Sequence, residues 1–147
     1  NIIEIVTKSL DFIKLTSKSS IDLIDKTKNK FINGDEDQLN RVFVNLIKNS
    51  EESFPELLQK DPNFKGNIVI EIDDINDYII IKLSDNGSGI TDAKKAMTPY
   101  FTTKKTGTGL GLPIVTKIIN EHSGNLKIKN KREKKGTIVT ISLPKYA

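Results

Sequence analysis

Apolar residues recur at helical spacing in three stretches of this chain. The first stretch predicts an amphipathic helix over roughly the first sixteen residues, ended by the serine-rich residues 17–20. The second predicts a long helix that begins after Asp35, a candidate N-cap, and is interrupted by Pro55. The third covers residues 112–119 and is closed by Gly124.

Runs of β-branched residues predict the strands. Residues 68–72 and 78–83 are two such runs joined by the polar turn 73–77, which predicts an antiparallel hairpin whose second strand leads into Asp85. Residues 21–24 and 31–32 predict short strands. Alternation over residues 126–129 and 137–143 predicts a last hairpin. The composite is an α/β sandwich with a mixed sheet on one side, helices on the other, and a loose lid between them.

Composition limits the size and class of the protein. A chain of 147 residues with 36% hydrophobic and 29% charged residues is typical of one globular domain, here residues 1–147. No apolar run approaches the roughly 20 residues that span a bilayer. The absence of cysteine excludes disulfides and thiolate metal sites and is compatible with a reducing cytosol. Because the chain begins at Asn1 without a signal-peptide pattern, we expect it to be a fragment of a longer protein.

The net charge of +4 suggests two interpretations. A basic stretch at residues 127–136 would suit nucleic acid, and on this charge alone a binding module without catalysis is one hypothesis. The same lysines alternate with Leu126 and Ile128, which is how a half-buried strand exposes one face. A solvated hairpin tip is therefore the favoured interpretation, and no nucleic-acid partner is expected.

Three polar or glycine-rich stretches are candidates for chemistry. Asn45 and Asn49 lie four residues apart at the border of an apolar helix face, where asparagine is usually only a satisfied polar residue. Asp85, followed by Asn-Gly-Ser-Gly, suits a strand-to-loop turn as well as a binding site. The stretch Gly107-Thr-Gly-Leu-Gly111 matches neither the dinucleotide fingerprint nor the P-loop.

The glycine-rich stretch runs into the helix at Leu112, and Pro113 suits the first turn of that helix. Exposed backbone N–H groups and the helix N-terminus would then receive phosphate. A merely flexible loop is the alternative. It is disfavoured because Thr102, Thr103 and Lys104 lie just upstream.

These stretches, in this order and with Pro99-Tyr-Phe-Thr-Thr-Lys104 between the last two, resemble the ATP-binding catalytic domain of bacterial sensor histidine kinases. That family belongs to the superfamily shared with gyrase and mismatch-repair ATPases. The resemblance extends from the helix near Asp35 to the strand at Gly136-Thr137. The sequence is most similar to the nitrogen-regulation group of these kinases.

The resemblance implies a Bergerat-type two-layer α/β sandwich, in which a mixed, largely antiparallel sheet packs on one layer of helices and a flexible lid covers ATP. It implies ATP and Mg²⁺ as cofactors, with Asn45, Lys48 and Asn49 as catalytic residues and Asn49 as the Mg²⁺ ligand. Asp85 would accept the adenine amino group and reject guanine, which carries a carbonyl there. The nucleotide-binding residues implied are Asn45, Asn49, Asp85, Gly87, Gly89, Ile90, Phe101, Thr102, Thr103, Lys104, Gly107, Thr108, Gly109, Leu110, Gly111, Leu112 and Thr137.

Five positions qualify the resemblance. Lys48 or Arg41 would meet phosphate charge, whereas Glu52 stands where many members of the family carry a basic residue, so no phosphate contact is expected from it. Phe101 is either lid packing or a contact near the nucleotide, and packing is favoured. His122, the only histidine, is more typical of a helix C-cap than of a phosphoacceptor, because its surroundings lack the family's His-Glu-x-x-x-Pro pattern.

The resemblance therefore predicts a histidine kinase catalytic domain in two-component signal transduction. The expected partners are the protein's own upstream dimerisation and phosphoacceptor domain and a response regulator. The intact kinase would be a homodimer in which this domain is cytoplasmic and makes no direct membrane contact. The alternative is a stand-alone ATPase of the same superfamily, in which a glutamate would be expected at position 45 as the general base.

Overall fold

The computed structural model describes residues 1–15, 19–89, 111–131 and 136–146. The helices in these ranges are α1 (Ile2–Lys14), α2 (Glu36–Glu51), α3 (Phe54–Lys60) and α4 (Gly111–Glu121). The strands are β1 (Ser20–Asp25), β2 (Asn67–Ile75), β3 (Tyr78–Asp85), β4 (Asn125–Asn130) and β5 (Thr137–Pro144). Among these helices, none is long and apolar enough to cross a membrane.

The strands form one five-stranded sheet in the order β1-β2-β3-β5-β4. Strands β1 and β2 are parallel, and the other neighbouring pairs are antiparallel. Alternate residues of β2, β3 and β5 are buried on one face. Their apolar side chains form one hydrophobic cluster with those of α1, α2 and α4. The predicted mixed, largely antiparallel sheet with helices on one side is therefore confirmed.

The entry into α2 follows the predicted capping chemistry. Asp35 has an extended backbone, and its Oδ1 accepts from the Gln38 N–H at 3.0 Å. This bond satisfies one of the N–H groups that the first turn of a helix leaves unpaired. The apolar arc that follows is buried, with Leu39, Val42 and Phe43 fully inaccessible to solvent. The helix ends at Glu51, and Pro55 lies in the first turn of α3, so the predicted interruption is confirmed.

The hairpin turn is shorter than predicted, and residues 73–75 belong to β2 rather than to the turn. The carboxylate of Asp74 is hydrogen-bonded by a loop that is distant in sequence. Its oxygens accept from the Lys28 N–H at 3.2 Å and the Asn29 N–H at 3.0 Å. These hydrogen bonds, together with Lys145, lower the pKa of Asp74. The turn itself is left to Asn76 and the residue after it, and Asn76 has a φ of 54°.

Two other local predictions need correction. Residues 31–32 do not form a strand; Ile32 makes only an isolated bridge to Lys145. The residue with positive φ after α4 is Ser123, at 59°, rather than Gly124. Gly124 closes the helix through its N–H, which donates to the Ile119 carbonyl at 2.9 Å. A Cβ on Gly124 would lie 2.5 Å from the Ser142 carbonyl oxygen, which explains the glycine there.

Candidate nucleotide-binding site

Asp85 is the last residue of β3 and is 6% exposed. Its Oδ1 accepts from two backbone groups, the Gly87 N–H at 2.9 Å and the Thr137 N–H at 3.3 Å. Within the described residues, no donor is bonded to the other oxygen, Oδ2. The carboxylate is thus fixed through one oxygen, and the second oxygen remains able to accept a hydrogen bond from a ligand.

Close backbone packing around Asp85 explains two glycines. A Cβ on Gly136 would collide with the Asp85 carbonyl oxygen, and Gly136 has a φ of +132°, which side chains disfavour. A Cβ on Gly87 would collide with the Ser53 hydroxyl. Gly87 was predicted from its motif. Gly136 was not among the predicted site residues, because its neighbour Asp85 is distant in sequence.

The corner between α2 and α3 supports the loop after Asp85. The Ser53 Oγ accepts from the Ser88 N–H at 3.2 Å, so the loop contacts the chain just beyond α2. Gly89 follows with a φ of +82°, a conformation that glycine adopts without strain. Sequence reasoning missed Ser53, since a single serine after a helix carries no pattern of its own.

The predicted polar residues of α2 lie at the border of its buried face. Asn45 and Asn49 are half-buried, whereas Lys48 and Arg41 are exposed. Ser53, which contacts the Asp85 loop, follows Asn49 by one helical turn. Asn49 therefore lies in the last turn of α2, four residues before Ser53. Contact of Asn45, Lys48 and Asn49 with a nucleotide stays a prediction.

His122 joins α4 to α2. Its Nδ1 lies 2.8 Å from the Ile118 carbonyl oxygen, and its Nε2 accepts from the Asp35 N–H at 3.0 Å. Since Nε2 acts as the acceptor, Nδ1 carries the proton and donates to Ile118. The C-terminal end of α4 is thereby held at the N-terminal end of α2. The capping role predicted for His122 is confirmed.

The two helices pack side by side, so they run in opposite directions. The 11 residues of α4 extend about 16 Å along its axis. Leu112 is half-buried against the core, and Pro113 lies in the first turn as predicted. The role of this helix N-terminus in receiving phosphate stays a prediction.

Part of the predicted site lies outside the described residues. These positions are Ile90, Met97, Phe101, Thr102, Thr103, Lys104, Gly107, Thr108, Gly109 and Leu110. The roles given to them remain predictions. The described part of the site comprises Asp85, Gly87, Gly89 and Thr137 on the sheet side and Asn45, Lys48, Asn49, Gly111 and Leu112 on the helix side.

The donor atoms present suit Mg²⁺ only in partnership with phosphate. Across the described ranges, no cluster of three or more His, Cys, Asp or Glu side chains is arranged to hold a metal ion. Mg²⁺ commonly keeps several waters and binds through one or two protein oxygens together with substrate phosphates. The amide oxygen of Asn49 on the half-buried border of α2 fits that mode of binding.

Residues 34–147 match the family described as histidine kinase-, DNA gyrase B- and HSP90-like ATPases. The chain belongs to this family. It is 37% identical to sporulation kinase C of Bacillus subtilis, a match that covers 97% of this chain and 32% of that protein. It is also 37% identical to the sensor histidine kinase ZraS of Salmonella typhi, over 100% of this chain and 31% of that protein.

Other relatives bear on the subgroup and on the fold. A putative NtrY-like sensor histidine kinase of Rickettsia conorii is 40% identical over 73% of this chain and 17% of its own length. The catalytic domain of histidine kinase ThkA, solved without nucleotide, superposes with a TM-score of 0.77 at 28% identity. That match covers 99% of this chain and 93% of the ThkA domain. A mycobacterial sensor histidine kinase, MprB, shares the fold with a TM-score of 0.78 at 22% identity, over 97% of this chain and 93% of that chain.

The resemblance to histidine kinase catalytic domains is thus confirmed, and so is the ATP-binding class of the domain. The NtrY-like relative agrees with the predicted nitrogen-regulation similarity, although the sporulation kinase and ZraS match at comparable identity. The chain spans about a third of the length of sporulation kinase C and of ZraS. Their other segments have no counterpart in residues 1–147.

Proposed function

We propose that this domain binds Mg·ATP and transfers the γ-phosphoryl group to a histidine on a separate dimerisation domain. The observation that carries the proposal is the buried Asp85 carboxylate, held through Oδ1 and able to accept through Oδ2. Such an oxygen suits the adenine 6-amino group, and a hydrogen bond to a charged group contributes about 1.5–3 kcal/mol. ATP is therefore selected over GTP.

Residues of α2 and α4 would bind the phosphate groups of the nucleotide and their Mg²⁺ ion. Asn49 would hold Mg²⁺ through its amide oxygen, and the ion would neutralise charge on the phosphates. Lys48 lies exposed beside it and would contact phosphate. The N-terminus of α4 offers backbone N–H groups to the same end of the ligand. Transfer then depends mainly on positioning and charge neutralisation.

Asn45 separates this proposal from its alternative, an ATPase of the same superfamily. Hydrolysis calls for a general base that takes a proton from water, and an asparagine amide does not accept a proton at neutral pH. Asn45 is half-buried at the border of the apolar face of α2, and we expect it to contact the nucleotide. The imidazole of a partner histidine is itself the nucleophile, so the kinase needs no such base at position 45.

We also propose that the domain acts within a larger kinase. Residues 1–147 would be one catalytic domain of a homodimeric, two-component sensor kinase whose upstream domain carries the phosphoacceptor. A response regulator would receive the phosphoryl group afterwards. The domain would work in the cytoplasm, without binding nucleic acid or contacting the membrane directly. The sensor histidine kinase ZraS, 31% of whose length matches this chain, supports the expectation of further domains.

The test uses this chain with a native dimerisation domain added in trans. With Mg·ATP, we expect acid-labile phosphohistidine on the added domain, little phosphate release by the chain alone, and no phosphate on His122. Asn49→Ala should abolish the transfer because it removes the metal ligand. His122→Gln should leave the transfer intact, since His122 bonds to Ile118 and Asp35 instead of facing the nucleotide.

The matched control for Asn49→Ala is Asn40→Ala, a half-buried asparagine at the other end of α2 whose side chain bonds to Ser9. It should lower stability without removing transfer. Steady ATP hydrolysis by the chain alone, undiminished without a histidine partner, would favour the ATPase and exclude the kinase proposal.

A further inference from the structure

Asn86 directly follows Asp85, and its side chain forms hydrogen bonds that backbone groups usually form in a sheet. Its Oδ1 accepts from the Asn67 N–H at 2.7 Å, and its Nδ2 donates to the Lys65 carbonyl oxygen at 2.7 Å. Its backbone N–H donates to the Asn67 carbonyl oxygen at 3.3 Å. The amide side chain therefore joins β2, and the segment before β2, to the end of β3.

Because the side-chain oxygen of Asn86 takes the place of a backbone acceptor, the hydrogen-bond ladder between β2 and β3 ends at Asn67 and Asn86. In an antiparallel sheet, a hydrogen-bonded pair exchanges two N–H···O=C bonds. The Asn86 side chain supplies the acceptor for Asn67, so the Asn86 carbonyl is released from the ladder and the chain leaves the sheet. The next two N–H groups then serve the site, because Gly87 donates to Asp85 and Ser88 donates to Ser53.

We propose that Asn86 is a positioning residue for nucleotide recognition, which fixes the orientation of the Asp85 carboxylate through the loop that leaves β3. The inference rests on the adenine contact proposed for Asp85. Gly87, whose N–H holds Asp85 Oδ1, is the residue immediately after Asn86. Any shift of Asn86 relative to β2 moves that N–H.

The chemistry at this position is specific to a short amide. Asparagine carries both an acceptor oxygen and an NH₂ donor, which the Asn67 N–H and the Lys65 carbonyl require. Aspartate keeps the acceptor and loses the donor, and its charge would face a carbonyl oxygen. Alanine loses both hydrogen bonds.

The test is calorimetry with ATP and with purine riboside triphosphate, which lacks the 6-amino group. Asn86→Ala should weaken ATP binding at least about fivefold, as loss of one ordinary hydrogen bond would. The analogue should be weakened much less. In an Asp85→Asn background, Asn86→Ala should add little, because residues that act through one contact are not additive.

The control variant is Asp74→Ala at the opposite end of the β2–β3 hairpin. Asp74 also holds two backbone groups, the Lys28 and Asn29 N–H groups. This variant should lower the unfolding temperature and leave ATP affinity unchanged. If Asn86→Ala does not fold, Asn86→Asp replaces it and should show the same selective loss of ATP affinity.

Two results would overturn the inference while the proposed function stands. One is wild-type ATP affinity in the folded Asn86 variant. The other is equal weakening of ATP and the analogue in both backgrounds, which would show general loosening of the site. Failure of the wild-type protein to bind ATP would instead overturn the proposed function, and this inference with it.

Discussion

Replacing Asp85 by asparagine changes one oxygen into an NH₂ group and keeps the shape of the side chain. The structure determines which oxygen is replaced. Oδ1 accepts from the Gly87 and Thr137 N–H groups, so an NH₂ in that place would face two donors. The asparagine oxygen therefore occupies the Oδ1 position, and the NH₂ occupies the Oδ2 position that faces the ligand in the proposed complex.

The expected loss of ATP affinity follows from this orientation. The NH₂ would oppose the adenine 6-amino group, donor against donor, and a charge-assisted hydrogen bond worth about 1.5–3 kcal/mol would be lost. This loss weakens ATP binding about 10- to 150-fold. Guanine presents a carbonyl oxygen at the same position, which accepts from the new NH₂ group. GTP affinity should therefore rise, and the ratio of the two affinities should change more than the ATP affinity alone.

The assay is titration calorimetry of both proteins with Mg·ATP and with Mg·GTP. Asp74→Asn is the control, because Asp74 also accepts from two backbone N–H groups at the far end of the hairpin that contains Asp85. It should bind both nucleotides as the wild type does. Equal ATP dissociation constants for the wild type and Asp85→Asn, with both proteins folded, would remove Asp85 from the adenine site.

Three further predictions follow from contacts in the fold. Gly136→Ala should lower both the unfolding temperature and ATP affinity, since its Cβ would collide with the Asp85 carbonyl oxygen; an unchanged melting curve would contradict that contact. His122→Ala should lower the free energy of unfolding in urea by about 0.5–1.5 kcal/mol, because it removes the hydrogen bonds of the ring to the Asp35 N–H and to the Ile118 carbonyl. Hydrogen bonds from Thr27 and Lys30 lower the pKa of Asp25 from 3.8 to about 2. Asp25 thus stabilises the fold above pH 3.8, and this contribution disappears as the pH falls through about 2, so the stability difference between wild type and Asp25→Asn should shrink over that interval.

Much of the architecture was predictable from local patterns. The apolar arc of α2, the cap at Asp35 and the alternation in β5 each lie within a short window of sequence, and each was confirmed. Asp85 was predicted as a candidate for the same reason, since a carboxylate at a strand end followed by glycines is visible locally. The adenine contact proposed for it rests on the family resemblance, because the residues alone suit a turn equally well.

The features that sequence missed depend on contacts between distant residues. The sequence predicts Asp73 and Asp74 as turn residues because aspartate is depleted in strands. In the structure, the backbone N–H groups of residues 28–29 hydrogen-bond to Asp74 and allow it to lie in β2. The need for glycine at position 136 is explained only by the fold, which brings it against the Asp85 carbonyl oxygen. The partners of Asn86 became apparent only when the register of β2 and β3 was known.

The bond from the Asp35 N–H to His122 Nε2 joins two residues that are 87 positions apart in the sequence. It fixes the C-terminal end of α4 at the N-terminal end of α2, and the two helices pack against each other within one hydrophobic cluster that also includes the sheet. The helices that carry the predicted binding residues are therefore attached to each other as well as to the sheet. A designer who transplants this site to another scaffold must transfer this contact along with the binding residues.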